Sequence, residues 1–444
     1  MKAWAFLPLV ALTTVSASSS LPPIEGRGNA FWAGDKRFYI RGIDYQPGGS
    51  SAFKDPLADP KTCLRDIKQF EKLGLNAVRV YTVDNSKDHD ECMRALQDAG
   101  IYLILDVNTP AYSLNRLDAQ TSYNAKYLRS VFATVEMFAK YDNTMAFFSG
   151  NEVIDKTSDT VKAAPYVKAV TRDIKDFIRS RSLRAIPVGY SAADVSENRM
   201  QTAMYMNCGP DAVRSDFFAF NDYSWCNSNF AVSGWDQKVK NFTDYGLPIF
   251  LSEWGCNTNR PRKFEEMAAL MSADMSSVYS GGLMFEYSTE ENKFGIVKLD
   301  SDGETAQPSD EFELFKEALR KNPAPTGDGG ATATAHAVQC PTSDSSWNVD
   351  PSQVPAMPHG AEEYMKNGAG GGPGLTGGSQ DAVDSGTSSG NSTDHAGHAG
   401  HAGKASRKGA EDNAGSNGRG NMAAVAVTAL TLLLFIFSCS SPSS

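Results

Sequence analysis

The sequence is poor in histidine and has no basic cluster, and both absences exclude common functions. Of the six histidines in 444 residues, only His89 lies before residue 330, so a Ser-His-Asp triad would have to use that side chain. The net charge is -10 and lysine and arginine form no stripe, which argues against a nucleic acid as the ligand.

Motifs for metals and cofactors are missing as well. No cysteine pair has the Cys-x-x-Cys spacing of a metal site, and no His-x-x-x-His motif occurs. No glycine-rich turn of the phosphate-binding type follows the first predicted strand, as a dinucleotide-binding sheet would require. We therefore predict neither a bound metal nor a cofactor.

The two ends of the chain are typical of targeting segments. Residues 1–17 contain one lysine, an apolar core and small residues before Ala17, which indicates a secretory signal peptide cleaved after Ala17. Residues 423–437 are apolar, and small residues at 413–418 precede them. That order is typical of a GPI-attachment signal. The alternative is a transmembrane helix, but no lysine or arginine follows the apolar run.

We therefore expect residues 422–444 to be removed. The protein would then be held by a lipid on the outer face of the plasma membrane or, alternatively, in the cell wall. Residues 21–345 are predicted to be one catalytic domain with a C-terminal extension, and residues 346–421 a disordered Gly/Ser/His-rich spacer. Three regularly spaced histidines at 395, 398 and 401 could bind a metal, but their composition favours a low-complexity linker. N-glycosylation sequons occur at Asn241 and Asn391.

Secretion permits disulfide bonds. One of the seven cysteines, Cys439, lies in the segment predicted to be removed. The remaining six allow about 15 pairings, which residue counting leaves open. They are Cys63, Cys92, Cys208, Cys226, Cys256 and Cys340.

Short apolar runs alternate with amphipathic segments between residues 21 and 321. The runs predict eight strands, at residues 38–43, 77–81, 102–107, 145–150, 186–190, 217–221, 248–252 and 282–287. Apolar spacings of three and four predict helices at residues 62–73, 127–141, 166–179 and 262–279. This alternation predicts an α/β fold, a (β/α)8 TIM barrel, and the alternative is an open doubly wound sheet.

In such a barrel the active site lies where the strands end. Two of the predicted strand ends deliver a glutamate, Glu152 after Asn151 and Glu253 before Trp254. Two carboxylates on either side of a sugar are what cleavage of a glycosidic bond requires, one to donate a proton and one to attack. The amide of Asn151 could hold a sugar hydroxyl, and Trp254 offers an aromatic face.

Several motifs in order resemble the fungal cell-wall β-1,3-glucanosyltransferases of glycoside hydrolase family 72. The resemblance rests on residues 41–47, 76–81, 150–152, 221–226, 252–256 and 285–287. It implies a retaining enzyme in which Glu152 is the general acid/base and Glu253 the nucleophile. It also implies pairings Cys63–Cys92, Cys226–Cys256 and Cys208–Cys340, and sugar binding by Gln46, Tyr81, Asp106, Asn151, Tyr223, Trp254 and Tyr287.

Two departures from the family pattern are visible. No further cysteine-rich module follows Cys340, which places the chain in the subgroup without a C-terminal carbohydrate-binding module, and Phe294 stands where a tyrosine is expected. The implied partners are a β-1,3-glucan donor and acceptor, and the protein is expected to be a monomer. The alternatives are an endo-β-1,3-glucanase that uses water as the acceptor and a non-catalytic glucan-binding protein of the wall.

Overall fold

The computed structural model describes residues 21–300 and 303–381, and its first element is a small antiparallel sheet. Strands β1 (Ile24–Arg27), β2 (Ala30–Ala33) and β3 (Lys36–Phe38) pair in that order. The sequence analysis did not predict this sheet, because each strand is only three or four residues long and is not a continuous buried run.

Eight parallel strands then close into a barrel in chain order, which confirms the predicted (β/α)8 fold. All eight predicted strands are present, with boundaries shifted by a few residues. They are β4 (Ile40–Asp44), β5 (Ala77–Val80), β6 (Tyr102–Asp106), β7 (Thr144–Asn151), β8 (Val188–Ala193), β9 (Phe217–Asp222), β10 (Ile249–Trp254) and β11 (Tyr279–Met284).

Helices surround the barrel. Those described are α1 (Pro60–Leu73), α2 (Asp90–Asp98), α3 (Ala119–Ser122), α4 (Ala125–Phe138), a 3-10 helix (Ser158–Ala163), α5 (Ala164–Ser180), α6 (Arg199–Met206), α7 (Trp235–Phe242), α8 (Glu266–Leu270), α9 (Ala273–Ser276), α10 (Asp310–Lys321) and α11 (Glu362–Asn367). A hairpin of β12 (Val297–Leu299) and β13 (Ala306–Pro308) precedes α10. Among the described residues no helix is both long and apolar enough to cross a membrane.

Helix α1 illustrates how local sequence sets an element's ends. Asp59 caps its N-terminus by accepting a hydrogen bond from the Lys61 amide, and Pro60 occupies the first helical position. Gly74 ends it in the left-handed conformation, with a φ of 71°, which a glycine adopts without steric cost.

The predicted helix over residues 262–279 is wrong, because the segment forms the short helices α8 and α9 instead. Ser272 separates them with an extended backbone (ψ 160°), and its hydroxyl donates to the carbonyl of Ala269 at 2.7 Å. Serine side chains compete in this way with the helical hydrogen-bond ladder.

The lower part of the barrel interior is apolar. Phe148, Phe217 and Phe250 project into it, and Phe31 of β2 packs edge-on against Phe217 and Phe250 from below. The N-terminal sheet therefore closes the base of the barrel. The buried side chains that pack together at this end are apolar.

The structure contains three disulfide bonds with the pairings that the family resemblance implies. Cys63–Cys92 joins α1 to α2, and Cys208–Cys340 joins the end of α6 to the C-terminal extension. Cys226–Cys256 joins the loops that follow β9 and β10. This third bond fixes two neighbouring loops at the end of the barrel where the catalytic residues are expected.

The predicted boundary at residue 345 differs from the structure, in which residues 341–381 pack along the outside of the barrel. We call this segment the strap. Trp347 and Ala361 are fully buried, and Gln380 is only 4% exposed. The Gly/Ser-rich composition suggested a disordered spacer. The few large side chains of the strap pack against the domain, so the segment is ordered without a core of its own. The predicted signal peptide, the sequon at Asn391, the histidine repeat and the GPI-attachment signal lie outside the described residues.

Candidate active site

Glu152 and Glu253 both reach the mouth of the barrel, at the C-terminal ends of β7 and β10. Each strand has a register shift just before its glutamate, between Phe148 and Asn151 in β7 and between Leu251 and Glu253 in β10. Strand residues normally alternate between the two faces of a sheet, and a bulge re-aims one side chain. Two consecutive polar residues can therefore face the interior on each strand.

Three donors converge on the carboxylate of Glu253. Tyr81 Oη and Arg79 Nη1 donate to Oε1 at 2.8 and 3.1 Å, and Tyr223 Oη donates to Oε2. Glu253 is only 6% exposed. Because a guanidinium donates and never accepts, this arrangement stabilises the ionised form of Glu253.

Arg79 carries the positive charge of the site. It forms a bidentate pair with Asp106, through Nε to Oδ2 at 2.8 Å and Nη2 to Oδ1 at 3.2 Å, and Asp44 lies 3.9 Å from Nη1. Its guanidinium also stacks on the rings of Tyr81 and Phe148, at 4.2 and 4.6 Å from their centroids. Arg79 thus lies between the apolar base of the barrel and the carboxylates above.

The carboxyl groups around Arg79 outnumber its single charge. Burial raises the pKa of Glu253, the charge of nearby Glu152 raises it further, and Arg79 and the two tyrosine hydroxyls lower it. Burial also raises the pKa of Asp44 well above its ordinary value. Asp44 makes the longest contact with Arg79, and its oxygens lack a hydrogen-bond partner among the described residues. Burial and this long contact both disfavour the charged form of Asp44, so Asp106 and Glu253 are the close anionic partners of Arg79.

Glu152 has a different environment. Its side chain is half-buried, and Oε1 accepts one hydrogen bond, from Asn221 Nδ2 at 2.8 Å. Its backbone has a φ of 48°, which is uncommon for a residue other than glycine. The Glu152 amide donates to the Ser191 carbonyl at 2.9 Å, and Arg116 Nη2 donates to the Glu152 carbonyl at 2.7 Å. Glu152 thus meets a neutral donor, whereas Glu253 meets a cation.

The amide of Asn221 connects the two strand ends. Its Oδ1 accepts from the hydroxyls of Ser252 and Ser191 at 2.8 and 3.1 Å, so its Nδ2 is directed at Glu152 and at Asn151 Oδ1. Sequence reasoning placed Asn221 at a strand end but gave it no role in the site. Only the three-dimensional arrangement shows that it bonds the carboxylate of Glu152.

Four predicted sugar-binding residues lie at the mouth or next to it. Tyr81 and Tyr223 contact Glu253 directly, and Asn151 is half-buried beside Glu152. Asp106 is 1% exposed and its carboxylate is bound by Arg79. Asp106 therefore holds Arg79 in place, and its contact with sugar stays a prediction.

Gln46 is at the rim, but its side chain is used by the protein. Its Oε1 accepts from the amides of Tyr81 and Thr82 at 3.2 and 3.1 Å, and its Nε2 donates to the Lys54 carbonyl at 2.7 Å. Gln46 is 1% exposed. We conclude that it holds the loop that carries Tyr81, and its contact with sugar stays a prediction.

Trp254 and Tyr287 lie in the packed layer around the barrel, and their contacts with sugar stay predictions. Trp254 is fully buried outside the barrel, against Phe264 and Phe315. Tyr287 is also fully buried and donates to Asp66 at 2.6 Å. The sequence pattern did not reveal which side chains point inward where a strand ends, so neither position could be predicted from it.

Glu286, the neighbour of Tyr287, belongs to the site instead. Burial raises its pKa to about 7, the charge of Glu253 contributes to the rise, and Asn292 lowers it through a hydrogen bond of 2.6 Å. An aromatic group lies alongside: Phe285 and Phe294 pack edge-on against Tyr223 at 5.9 and 5.4 Å. Phe294 therefore supports the ring of Tyr223, whose hydroxyl holds the nucleophile candidate.

Comparisons with known proteins agree with this geometry. Residues 13–323 match the family model described as Glucanosyltransferase. The chain is 58% identical over 371 residues to the 1,3-beta-glucanosyltransferase gel1 of Aspergillus fumigatus, covering 83% of this chain and 81% of that protein. It is 50% identical over 367 residues to the 1,3-beta-glucanosyltransferase GAS5 of Saccharomyces cerevisiae, covering 81% and 75%. A solved structure of S. cerevisiae Gas2p with laminaritetraose and laminaripentaose aligns with a TM-score of 0.70 and 35% identity, over 77% of this chain and 76% of that one.

Proposed function

This chain belongs to the glucanosyltransferases of glycoside hydrolase family 72, and we propose that Glu253 is the nucleophile and Glu152 the acid/base of its reaction. The protein is a retaining β-1,3-glucanosyltransferase. It cleaves an internal linkage of one β-1,3-glucan and transfers the new end to the non-reducing end of another. Its product is an elongated glucan of the cell wall.

In the first half of the reaction, an oxygen of Glu253 bonds to the anomeric carbon of the donor sugar while the glycosidic C–O bond breaks. Glu152 gives its proton to the departing oxygen, so that the leaving glucan ends in a hydroxyl. The glucan that remains is an ester of Glu253.

In the second half, the roles reverse. Glu152 is now a carboxylate and takes the proton from a hydroxyl at the non-reducing end of the acceptor. The acceptor oxygen attacks the anomeric carbon, and the bond to Glu253 breaks. Two inversions at one carbon retain the β configuration, and both carboxyl groups return to their starting protonation states.

The observation that carries these assignments is the unequal set of donors around the two carboxyl groups. A cation and two hydroxyls converge on Glu253, which favours the charged form needed for attack. Glu152 accepts from a neutral amide and lies close enough to raise the pKa of Glu253. The unequal donors therefore favour Glu253 as the group that attacks and Glu152 as the group that donates the proton to the leaving oxygen.

Three further side chains are proposed to bind the sugar next to the cleavage point. Asn151 Oδ1 is held by Ser191 and Asn221, which leaves its Nδ2 to donate to a sugar hydroxyl. The hydroxyls of Tyr81 and Tyr223 lie at the oxygens of Glu253, where the ring of the bound sugar must come.

Incubation of the purified protein with a reduced laminari-oligosaccharide of defined length tests this function. We expect products longer than the substrate together with a matching short fragment. Glu253→Gln and Glu152→Gln should each abolish both products, and Asn367→Ala, at an exposed position of the strap, serves as the control. Products that are only shorter than the substrate would contradict transfer, and an active Glu253→Gln variant would contradict the assignment of the nucleophile.

We further propose that the protein is secreted after cleavage at Ala17, is anchored by a GPI lipid that replaces residues 422–444, and acts as a monomer. The sequence pattern of both ends supports the first two points. Asn241 is exposed on α7 and can carry a glycan. Phosphatidylinositol-specific phospholipase C should release the protein from intact cells; retention on the membrane after treatment would contradict the lipid anchor. Light scattering of the released protein should give the mass of one chain.

A further inference from the structure

The strap, residues 341–381, runs along the outside of the barrel and reaches the rim that carries the catalytic residues. At its start, Trp347 is fully buried against Tyr205, with ring centroids 5.5 Å apart. Three arginines, in α4, in α5 and at the C-terminal end of α5, then bind carbonyls spaced along the strap, which fixes its path. Arg172 binds the carbonyl of Pro355 at 2.7 Å, Arg181 that of Lys366 at 2.8 Å, and Arg129 that of Gly371 at 3.1 Å.

The glycines of the strap fit tightly against the loop that follows β5. The Gly374 amide donates to Asn85 Oδ1 at 2.9 Å. A Cβ on Gly374 would lie 2.4 Å from Asp84 Oδ1, and one on Gly372 would lie 2.1 Å from Asn85 Oδ1. These glycines therefore permit close approach, and they do not mark a flexible linker at this point of the chain.

Gln380 ends this path in a set of hydrogen bonds to the loop between β6 and α4. Its Oε1 accepts from the Ser113 amide at 2.7 Å, and its Nε2 donates to the carbonyls of Ser113 and Ser122 at 2.8 and 2.9 Å. Gln380 is 4% exposed. One side-chain amide thus bonds three backbone groups of this segment, at Ser113 and at the end of α3.

The same loop carries Arg116, which contacts the segment of the acid/base. Arg116 Nη2 donates to the Glu152 carbonyl at 2.7 Å, and Nη1 pairs with Asp155. Glu152 has the unfavourable φ of 48°, so its conformation depends on the groups that hold its backbone. Arg116 binds the carbonyl of Glu152, and the carbonyl of Ser191 accepts from the amide of Glu152, so both backbone groups of this residue are held.

We propose that Gln380 is a positioning residue for catalysis, which acts through Arg116 to hold Glu152 in the geometry for proton transfer. This inference rests on the proposed role of Glu152. Gln380 touches neither substrate nor carboxylate. It fixes the loop at Ser113 and Ser122, and the loop in turn places Arg116 on the carbonyl of Glu152.

The proposal predicts a specific kinetic pattern for Gln380→Met, which keeps the length of the side chain and removes its amide. Small displacements of a catalytic group reduce turnover with little effect on ground-state binding. We expect kcat for release of the reducing-end fragment to fall roughly three- to tenfold with KM nearly unchanged, within the range that misplacement by a fraction of an ångström produces. Tm should fall by about 2–4 °C.

A double-mutant cycle with Arg116→Met tests whether Gln380 acts through Arg116. If it does, Gln380→Met lowers kcat in the wild-type background and has no further effect on kcat in the Arg116→Met background. The matched control is Gln353→Met, the same substitution at an exposed position of the strap, which should leave kcat and Tm unchanged.

Two results would overturn the proposal. An unchanged kcat in Gln380→Met with a lowered Tm would mean that Gln380 only stabilises the fold. Losses in kcat that multiply in the double variant would mean that Gln380 and Arg116 act independently. Release of the reducing-end fragment occurs in both transfer and hydrolysis. The double-mutant cycle can therefore be interpreted even if the acceptor proves to be water. Failure of the catalytic assignment itself would show instead as an active Glu152→Gln variant.

Discussion

Removal of one hydroxyl, in Tyr81→Phe, tests the electrostatic account of the nucleophile most sharply. The substitution deletes the 2.8 Å hydrogen bond to Glu253 Oε1 and keeps the ring that stacks on Arg79. A hydrogen bond to a charged group contributes about 1.5–3 kcal/mol. Since about 1.4 kcal/mol corresponds to one pKa unit, the pKa of Glu253 should rise by about 1–2 units.

The assay is the pH dependence of kcat/KM for cleavage of a laminari-oligosaccharide. Glu253 must be ionised to attack, so activity is lost as pH falls through its pKa. We call this decrease on the low-pH side of the profile the acid limb. In Tyr81→Phe the acid limb should move to a pH about 1–2 units higher. The raised pKa of Glu253 also makes the stability of the fold depend on pH. A glutamate whose folded pKa lies above its unfolded value loses stability as pH rises between the two values. Both proteins lose stability alike up to the wild-type folded pKa of about 7, and the Tm of Tyr81→Phe should fall increasingly below that of the wild type as pH rises from there to the higher pKa of the variant.

Tyr287→Phe is the matched control, because it also removes one buried tyrosine hydroxyl but breaks a hydrogen bond to Asp66 instead. Its acid limb should coincide with that of the wild type. An unshifted limb in Tyr81→Phe, or an equal shift in both variants, would refute the view that Tyr81 stabilises the charge of Glu253.

Three other outcomes are expected. Tyr287→Phe should lower stability by about 1–2 kcal/mol in denaturant titration while kcat stays unchanged; a loss of kcat would support its predicted sugar-binding role. Gly374→Ala should lower Tm, because its φ is 62° and the new methyl group would meet Asp84. Gly370→Ala, at a similar φ of 67° but in open space, should lower Tm less. Equal decreases in Tm would argue against close packing of the strap. Cys340→Ser should destabilise the fold by about 2–5 kcal/mol through loss of the bond to Cys208; an unchanged Tm would show that the bond adds nothing to the packing of the extension.

The barrel could be predicted from the sequence because its strands are continuous apolar runs, which parallel strands buried on both faces require. The two glutamates could be located because each directly follows such a run. The N-terminal sheet could not be predicted, since its strands are short and half exposed, and the position of Phe31 beneath the barrel depends on contacts distant in the chain.

Side-chain direction at the strand ends was the main limit. Glu253 and Trp254 are adjacent, yet one enters the site and the other is buried against α10, and the same holds for Glu286 and Tyr287. Bulges in β7 and β10 interrupt the alternation of inward and outward side chains. The residue types in these strands do not predict where a bulge occurs. The strap was missed for a related reason, because its glycines suggest flexibility by composition and serve close packing in the structure.

Trapping of the covalent intermediate tests the central claim most directly. A donor with fluorine at C1 and C2 of a β-1,3-linked glucosyl unit forms the ester quickly and releases it slowly. Digestion and mass spectrometry of the trapped protein should place the added sugar on Glu253, and Tyr287→Phe should be labelled as fast as the wild type. A label on Glu152, Glu286 or any other residue would contradict the assignment of Glu253 as the nucleophile.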